Sequence, residues 1–192
     1  VNTSPNHEHH RYVINFGELS EKECWQRWPD LMAIVEEKVK PHRVSLPPKN
    51  AWNRDVARRW WQFGADRREL RSAIVGLNRI LVICRHQPQW SVARLLAKSV
   101  FAESLIVFPY DTFAAFCALQ SRPHEIWARF FGSSMKDDLR YTPSDCFETF
   151  PFPVDWEINP VLEETGKQYY DFRASLMIQN NEGLTKTYNR FH

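Results

Sequence analysis

The most informative stretch of the sequence reads LQSRPHEIWARFFGSSMKDDLRYTPSDCFETFPFP over residues 119–153. Ser121 can cap a helix that has Pro123 in its first turn, and Gly132 can end that helix. The apolar residues of the helix have the spacing of a core face: Ile126, Trp127, Phe130 and Phe131. Beyond Gly132, frequent prolines and weak periodicity predict loops with short strands.

Strand-sized apolar runs precede this stretch. Arg79 to Arg85 (RILVICR) predicts a buried strand between charged ends, and Leu105 to Phe108 a second one. Two further runs, Ala114 to Leu119 and Tyr12 to Phe16, are also predicted as strands. Helical periodicity resumes at Leu162 and again at Leu184. The fold class predicted is α/β, with a mixed sheet, flanking helices and further helices at the C-terminal end.

The N-terminal third contains a helix start and a loop. Ser20 and Glu23 have the spacing of a capping box, and Pro29 restarts the helix after it. Residues 41–53 contain Pro47-Pro48 and are predicted to be a loop. Aromatic residues at 60, 61 and 63 are predicted to pack in a core, although they could stack on exposed bases.

Length and composition limit the class of protein. The chain has 192 residues, of which 43% are hydrophobic, so a packed core is expected. No apolar run approaches the roughly 18 to 20 residues of a membrane span, so no membrane partner is expected. The four cysteines are far apart, which disfavours a zinc knuckle and suggests reduced thiols in a cytoplasmic protein.

The order of these features suggests a domain organisation. Residues 1–10 are polar and are predicted to be a disordered tail. Residues 11–160 are predicted to form the main domain, and residues 161–192 a helical C-terminal segment. The chain begins with Val and its last predicted helix is cut off at His192, so we expect it to be a piece of a longer protein.

Charge is unevenly distributed along the chain. Residues 40–98 contain thirteen Lys and Arg against three acidic residues, although the net charge of the whole chain is only +2. Such a block indicates a surface that faces a polyanion, unless its arginines are spread over several solvated faces. The residues predicted to bind DNA phosphates are Arg54, Arg58, Arg59, Arg67, Arg68, Arg94 and Lys98.

The sequence contains none of the common catalytic motifs. The chain has six glycines, and none of them forms a dinucleotide-binding or phosphate-binding loop. His124-Glu125 lacks the second histidine of a zinc protease motif, and a structural hydrogen bond is expected for His124. We therefore predict no catalytic residue and no metal ligand.

The segment before Tyr141 has the pattern of a base-reading element. In an extended chain, alternate side chains share a face, so Lys136, Asp138 and Arg140 would point the same way. Lys and Arg donate to guanine, and Asp accepts from cytosine. The competing interpretation is an ordinary charged turn in which Lys136 pairs with Asp138.

Residues 119–153 resemble the target recognition domain of Mme-type (type IIL) restriction–modification enzymes and related adenine-specific DNA methyltransferases. The most specific matches are Tyr141-Thr142-Pro143 and the run from Phe147 to Pro153. Shorter matches, which extend the resemblance to most of the chain, lie at residues 12–17, 39–43, 60–63 and 77–83.

The resemblance implies a recognition domain for double-stranded DNA that works beside a methyltransferase domain of the same parent chain. It places base-reading positions at Lys136, Asp138 and Arg140, with others near Arg85 and Glu103. The cofactor S-adenosylmethionine would bind to the parent enzyme, so this fragment is expected to hold no cofactor and to be inactive alone. The alternatives are a protein-interaction or scaffold module that binds an acidic partner through the basic block, and a divergent nuclease.

Overall fold

A computed structural model describes residues 3–8, 11–64, 67–135 and 138–190, with backbone alone at 133–135 and 138. The chain divides into two compact units. The first unit is Arg11–Arg71, and the second combines Val1–His10 with Ser72–His192. This division by contacts does not test the domain boundaries predicted at residues 10/11 and 160/161, which stay predictions.

The first unit is helical. It contains α1 (Glu21–Arg27), α2 (Pro29–Lys38), α3 (Lys40–Val44) and α4 (Ala51–Arg58), and α5 (Arg68–Ala73) begins in it. The predicted capping box is confirmed, because the Glu23 amide donates to Ser20 Oγ at 3.3 Å and the Ser20 amide donates to Glu23 Oε2 at 2.9 Å. The restart of the helix at Pro29 is confirmed as well.

Two predictions for this unit are wrong. Residues 12–16 have no regular secondary structure, since alternation alone does not provide a neighbouring strand with which to pair. Residues 41–53 are not one loop, because α3 and the start of α4 lie within them. Pro41 occupies the first turn of α3, where the missing N–H of proline costs nothing. Asn50 caps α4 by accepting from the Asn53 amide at 2.8 Å.

Segments that are distant in sequence meet in the core of the first unit. Trp60 is buried there with Phe16 and Met32, which confirms the predicted core position for Trp60. Arg43 Nη1 donates to the Trp60 carbonyl at 3.0 Å, and Trp61 Nε1 donates to the Leu19 carbonyl at 2.9 Å. Phe63, in contrast, is exposed.

Six strands of the second unit form two small sheets. The first sheet has the order β3 (Ala93–Leu96), β1 (Arg79–Cys84) and β4 (Leu105–Phe108). The second has the order β2 (His86–Gln87), β6 (Asp138–Arg140) and β5 (Ser133–Met135). The predicted strands β1 and β4 are confirmed. All pairs are antiparallel, so the prediction of one mixed sheet is wrong, although the combination of helices and sheet is confirmed.

Five helices complete the second unit within the described residues. They are α6 (Phe113–Gln120), α7 (Arg122–Phe131), α8 (Pro143–Cys146), α9 (Pro160–Asn180) and α10 (Leu184–Asn189). The prediction of a strand at Ala114–Leu119 is wrong, because this run forms α6 with Thr112 as its cap. A short, wholly apolar run does not distinguish a buried strand from a buried helix. The predicted helices after residues 162 and 184 are confirmed.

Strand β1 lies at the centre of this unit and is buried on both faces. Leu81 and Ile83 pack in one apolar cluster with Phe116, whereas Ile80 and Val82 pack in another with Met177. Helix α9 lies against α6 at close range: a Cβ added to Gly166 would be 2.1 Å from the Phe113 carbonyl oxygen. Among the described residues, no helix has the length and apolar character needed to cross a bilayer.

The predicted core face of α7 is wrong. Ile126, Phe130 and Phe131 are exposed, and the side chain of Phe130 is 79% exposed. The buried residues are His124, Glu125 and Ala128. Polar side chains occupy the inner face because each finds a partner there: Glu125 accepts from two arginines, and His124 pairs with a tyrosine.

Candidate nucleic-acid interface

The second sheet exposes one face of the predicted recognition segment. Arg140 of β6 lies opposite His86 on one side and opposite Ser133 on the other. The next residue, Leu139, is 5% exposed, whereas Arg140 is exposed. Since successive side chains of a strand point to opposite faces, β6 holds its leucine against the core and its arginine toward solvent.

Backbone hydrogen bonds bring three of the predicted base-reading positions together. The Arg85 amide donates to the Ser104 carbonyl at 2.8 Å, and the Tyr141 amide donates to the Arg85 carbonyl at 2.8 Å. Arg85 therefore lies between Ser104 and Tyr141, which directly follow Glu103 and Arg140 in the sequence. Glu103 and Arg140 are exposed and Arg85 is half-buried. We name this group of three residues, together with β2, β5 and β6, the reading edge.

The remaining two predicted base-reading positions are less fully described. Lys136 lies outside the described residues. Asp138 is described by its backbone alone, as the first residue of β6 and opposite Met135. The shared face of Lys136, Asp138 and Arg140 stays a prediction, and so does the competing pair of Lys136 and Asp138.

A buried aromatic cluster supports the strand from behind. Tyr141 directly follows β6 and is 1% exposed. His124 Nε2 lies 3.0 Å from the Tyr141 hydroxyl, which confirms the structural hydrogen bond expected for His124. The Trp90 ring lies 5.7 Å from the Tyr141 ring. Burial lowers the pKa of His124 to about 4 and raises the pKa of Tyr141, so both side chains are neutral at pH 7.

The proline-rich run after the strand packs on the same cluster. The Phe150 ring lies 4.5 Å from the His124 ring and 4.7 Å from the Phe152 ring. Cys146 is buried, and its Sγ lies 3.8 Å from the Ala128 carbonyl oxygen. Burial raises the pKa of the Cys146 thiol, which keeps it protonated and unreactive.

Gly132 is needed where α7 meets the reading edge. A Cβ at this position would be 2.5 Å from the Ala128 carbonyl oxygen and 2.7 Å from Leu139 Cδ1. The backbone of Gly132 has a φ of −68°, which any residue can adopt, so the requirement is steric. Gly132 thus permits close approach of helix and strand.

Five of the seven predicted phosphate-binding residues belong to the first unit. Arg54 and Arg58 lie one turn apart on α4 and are exposed. Arg58 pairs with Asp55 at 3.1 Å, and Arg59 pairs with the same carboxylate. Arg67 and Arg68 are exposed, and Arg68 pairs with Glu18 at 2.5 Å. Exposed pairs of this kind contribute at most about 1 kcal/mol, so a phosphate can replace the carboxylate at small cost.

The other two predicted phosphate-binding residues belong to the second unit and differ from each other. Lys98 is exposed. Arg94 is paired with Asp111, donates to the Asp111 carbonyl at 2.8 Å, and lies over the Phe113 ring. Its guanidinium therefore joins β3 to the segment before α6, and we omit Arg94 from the phosphate-binding set proposed below.

The sequence interpretation overlooked His86. This residue is exposed and lies opposite Arg140 in the second sheet, so it belongs to the reading edge. A two-residue strand has no detectable periodicity, and only the pairing with β6 reveals the position. Within the described residues, no group of three or more His, Cys, Asp or Glu is placed to hold a metal ion.

Most of the chain matches a known protein family. Residues 5–154 match the family described as MmeI, target recognition domain. The chain belongs to this family, as the resemblance predicted, and is a DNA target recognition domain of the restriction–modification type. No curated protein and no solved structure matches the chain.

Proposed function

We propose that the chain reads base pairs in the major groove of double-stranded DNA through the reading edge. The observation that carries this proposal is the pairing of the Arg85 backbone with Ser104 and Tyr141, which directly follow Glu103 and Arg140 in the sequence. Arg85, Glu103 and Arg140 are far apart in sequence. Residues that contact neighbouring base pairs have to lie close together, and the proximity of these three backbones supports the proposal.

The chemistry of the reading edge suits base recognition. Arginine donates to guanine O6 and N7 in a bidentate manner, and a carboxylate accepts from cytosine N4. Arg140 and Glu103 supply these groups, and His86 adds a ring that can donate or accept. Arg85 Nε is buried and has no hydrogen-bond partner among the described residues, so this atom would have to become exposed before it could donate to a base. Lys136 and Asp138 would extend the set.

Phosphate contacts would provide affinity without sequence preference. For this role we propose the exposed basic residues of both units: Arg54, Arg58, Arg67, Arg68 and Lys98. Arg59 is included as a partly exposed member beside Arg58. Several of these residues already pair with carboxylates at the surface, so binding would exchange one anion for another.

The target base would be modified elsewhere in the parent protein. We propose that the domain presents an adenine to a methyltransferase domain of the same chain, which would bind S-adenosylmethionine and receive the flipped base. The family match supports a restriction–modification context. On this proposal the fragment has no catalytic activity of its own.

The experiment measures sequence preference, not affinity alone. A randomised duplex library is selected on the wild-type chain and on Arg140→Ala, with Arg190→Ala, at the C-cap of α10, as a matched loss of charge. Loss of a bidentate base contact removes about 1–3 kcal/mol of discrimination at one position. We expect this loss for Arg140→Ala and an unchanged preference for Arg190→Ala. Equal weakening on cognate and random DNA by Arg140→Ala would refute the assignment.

The second candidate, a protein-interaction module, predicts a different result in the same assay. Such a module would bind duplex DNA without sequence preference and would lose affinity equally for substitutions at Arg140 and Arg190. The exposed aromatic residues at 130 and 131 are compatible with this alternative. A selected library with no enriched sequence would favour it.

A further inference from the structure

The second unit contains a cavity of about 170 Å³ apart from the reading edge. Helix α9 lines it with Tyr170, Arg173 and Met177, and β1 contributes Arg79. Residues 5–7 line another part of it. The reading edge has no residue in this lining, so the cavity needs an explanation of its own.

Arg173 is the most unusual residue of the cavity. It is 3% exposed. Its Nη1 donates to the Val92 carbonyl at 2.9 Å and to the Tyr188 hydroxyl at 3.1 Å. Its Nη2 is buried and has no hydrogen-bond partner in the described part of the chain. One side of the guanidinium is therefore satisfied, whereas the donor on the other side is unpaired and closed to solvent in this conformation.

The charge of Arg173 has only partial compensation. Arginine does not lose its proton in proteins, and a buried charge is costly unless it is paired. The guanidinium lies 5.0 Å from the Phe116 ring and 5.4 Å from the Tyr170 ring, and such contacts contribute roughly 0.5–2 kcal/mol. No carboxylate of the described residues forms an ion pair with it. An anion is the usual solution for such a group.

Arg79 adds a second cation to the same cavity. It is half-buried at the start of β1. Its backbone amide donates to Asp111 Oδ2 at 3.2 Å, but Asp111 forms its ion pair with Arg94. Neither Asp nor Glu is found in the described lining of the cavity. Two arginines thus face a space that has no negative group.

We propose that this cavity binds a small oxyanion of the phosphate type between Arg79 and Arg173. Liquid water occupies about 30 Å³ per molecule, so the cavity has room for a tetrahedral oxyanion with some of its hydration. The planar donor fork of arginine matches phosphate oxygens. The phosphate could be free in solution or belong to a DNA strand, and the chemistry of the site is the same for both.

The test titrates inorganic phosphate into the chain by calorimetry, at constant ionic strength adjusted with sodium chloride. We expect binding to the wild type and a loss of affinity of roughly tenfold or more for Arg79→Gln, since hydrogen bonds to charged groups are stronger than those between neutral groups. Lys186→Gln removes the same charge from an exposed position of the same unit, on α10, and should retain binding. Absence of binding by the wild type, or equal binding by Arg79→Gln, would overturn the proposal.

Arg173→Lys provides a second measurement, because it keeps the charge and removes the fork. We expect it to lower phosphate affinity while the wild-type circular dichroism spectrum is retained. If this variant does not fold, the result for Arg79→Gln still decides the matter.

A further arm distinguishes the two sources of phosphate. A duplex without terminal phosphates is bound first, and phosphate is then titrated. If the site takes a backbone phosphate, millimolar phosphate weakens duplex binding and Arg79→Gln weakens it too. If the site takes free phosphate, the bound duplex leaves the phosphate affinity unchanged. Sequence preference at Arg140 is measured separately, so failure here does not bear on the proposed base readout.

Discussion

Strands β1 and β6 belong to the same unit and differ in almost every respect. β1 has six residues, of which the four in the middle are buried, and it pairs with a neighbour on each side over four residues. β6 has three residues and places Arg140 in solvent. The chain passes directly from β1 through Arg85 into β2, the partner of β6. The buried strand β1 thus positions the exposed strand β6 through β2.

The division has a physical reason. Truncation of any side chain in an apolar strand with both faces covered lowers the stability of the fold. Such a strand is therefore unsuited to residues that must differ between domains that recognise different DNA sequences. A short exposed strand supported by a buried residue such as Leu139 tolerates changes at its outer positions. If this interpretation is right, substitutions should separate into effects on stability and effects on DNA preference.

The largest effect should come from truncation of β1. Ile83→Ala removes a side chain that is 1% exposed in the main apolar cluster. A cavity of this kind lowers the free energy of unfolding by about 2–5 kcal/mol. Urea unfolding followed by circular dichroism measures it, with Arg140→Ala as the control, for which a change within about 0.5 kcal/mol is expected. An equal decrease in the free energy of unfolding for both variants would contradict the division into a stabilising strand and a DNA-reading strand.

Acid should destabilise the buried cluster of His124 and Tyr141 that supports β6. The pKa of His124 is lowered to about 4 by burial, whereas an unfolded histidine titrates near 6.5. Between these values the unfolded chain binds a proton that the folded chain does not, so stability falls as pH decreases from about 6.5 to 4. The difference between the two pKa values corresponds to a loss of about 3 kcal/mol in the free energy of unfolding. A series of unfolding curves over this range tests it, and His124→Asn should flatten the dependence.

The junction of α7 with the reading edge should show an effect of intermediate size. In Gly132→Ala, the new methyl group meets the Ala128 carbonyl oxygen and Leu139. Forced overpacking costs about 1–3 kcal/mol, and relief of the clash would displace β6. We expect a lower thermal midpoint together with altered DNA preference. Gly17→Ala is no suitable control because Gly17 has a φ of +61°; Ser144→Ala, at an exposed position of α8, serves instead.

The smallest effect should come from the surface of the first unit. Arg58→Gln removes an exposed charge of α4, and stability should change by less than about 0.5 kcal/mol. If Arg58 contacts a phosphate, affinity falls equally for all DNA sequences and the salt dependence of binding decreases by about one unit of slope. Filter binding at several salt concentrations measures both. A change in the preferred sequence would instead place Arg58 among the base contacts.

The sequence by itself determined the elements that have local signals. The Ser20 and Ser121 caps mark helix starts through side chains within three residues, and the Arg79–Cys84 run is long and apolar enough to predict a buried strand. The resemblance to the family rests mainly on residues 119–153, where the most specific matches, Tyr141-Thr142-Pro143 and Phe147 to Pro153, lie close together in the sequence. These signals depend only on neighbours along the chain.

Only the tertiary structure decided which residues meet and which faces are covered. The apolar run at 114–119 became a helix because Thr112 caps it and α9 packs against it. The apolar residues of α7 stayed outside because the buried Tyr141 hydroxyl pairs with His124 on the opposite face. The position of His86 beside Arg140, and of Arg85 between residues 104 and 141, depends on hydrogen bonds between distant segments. Such pairings have no local signature, since each one is set by the packing of the whole unit.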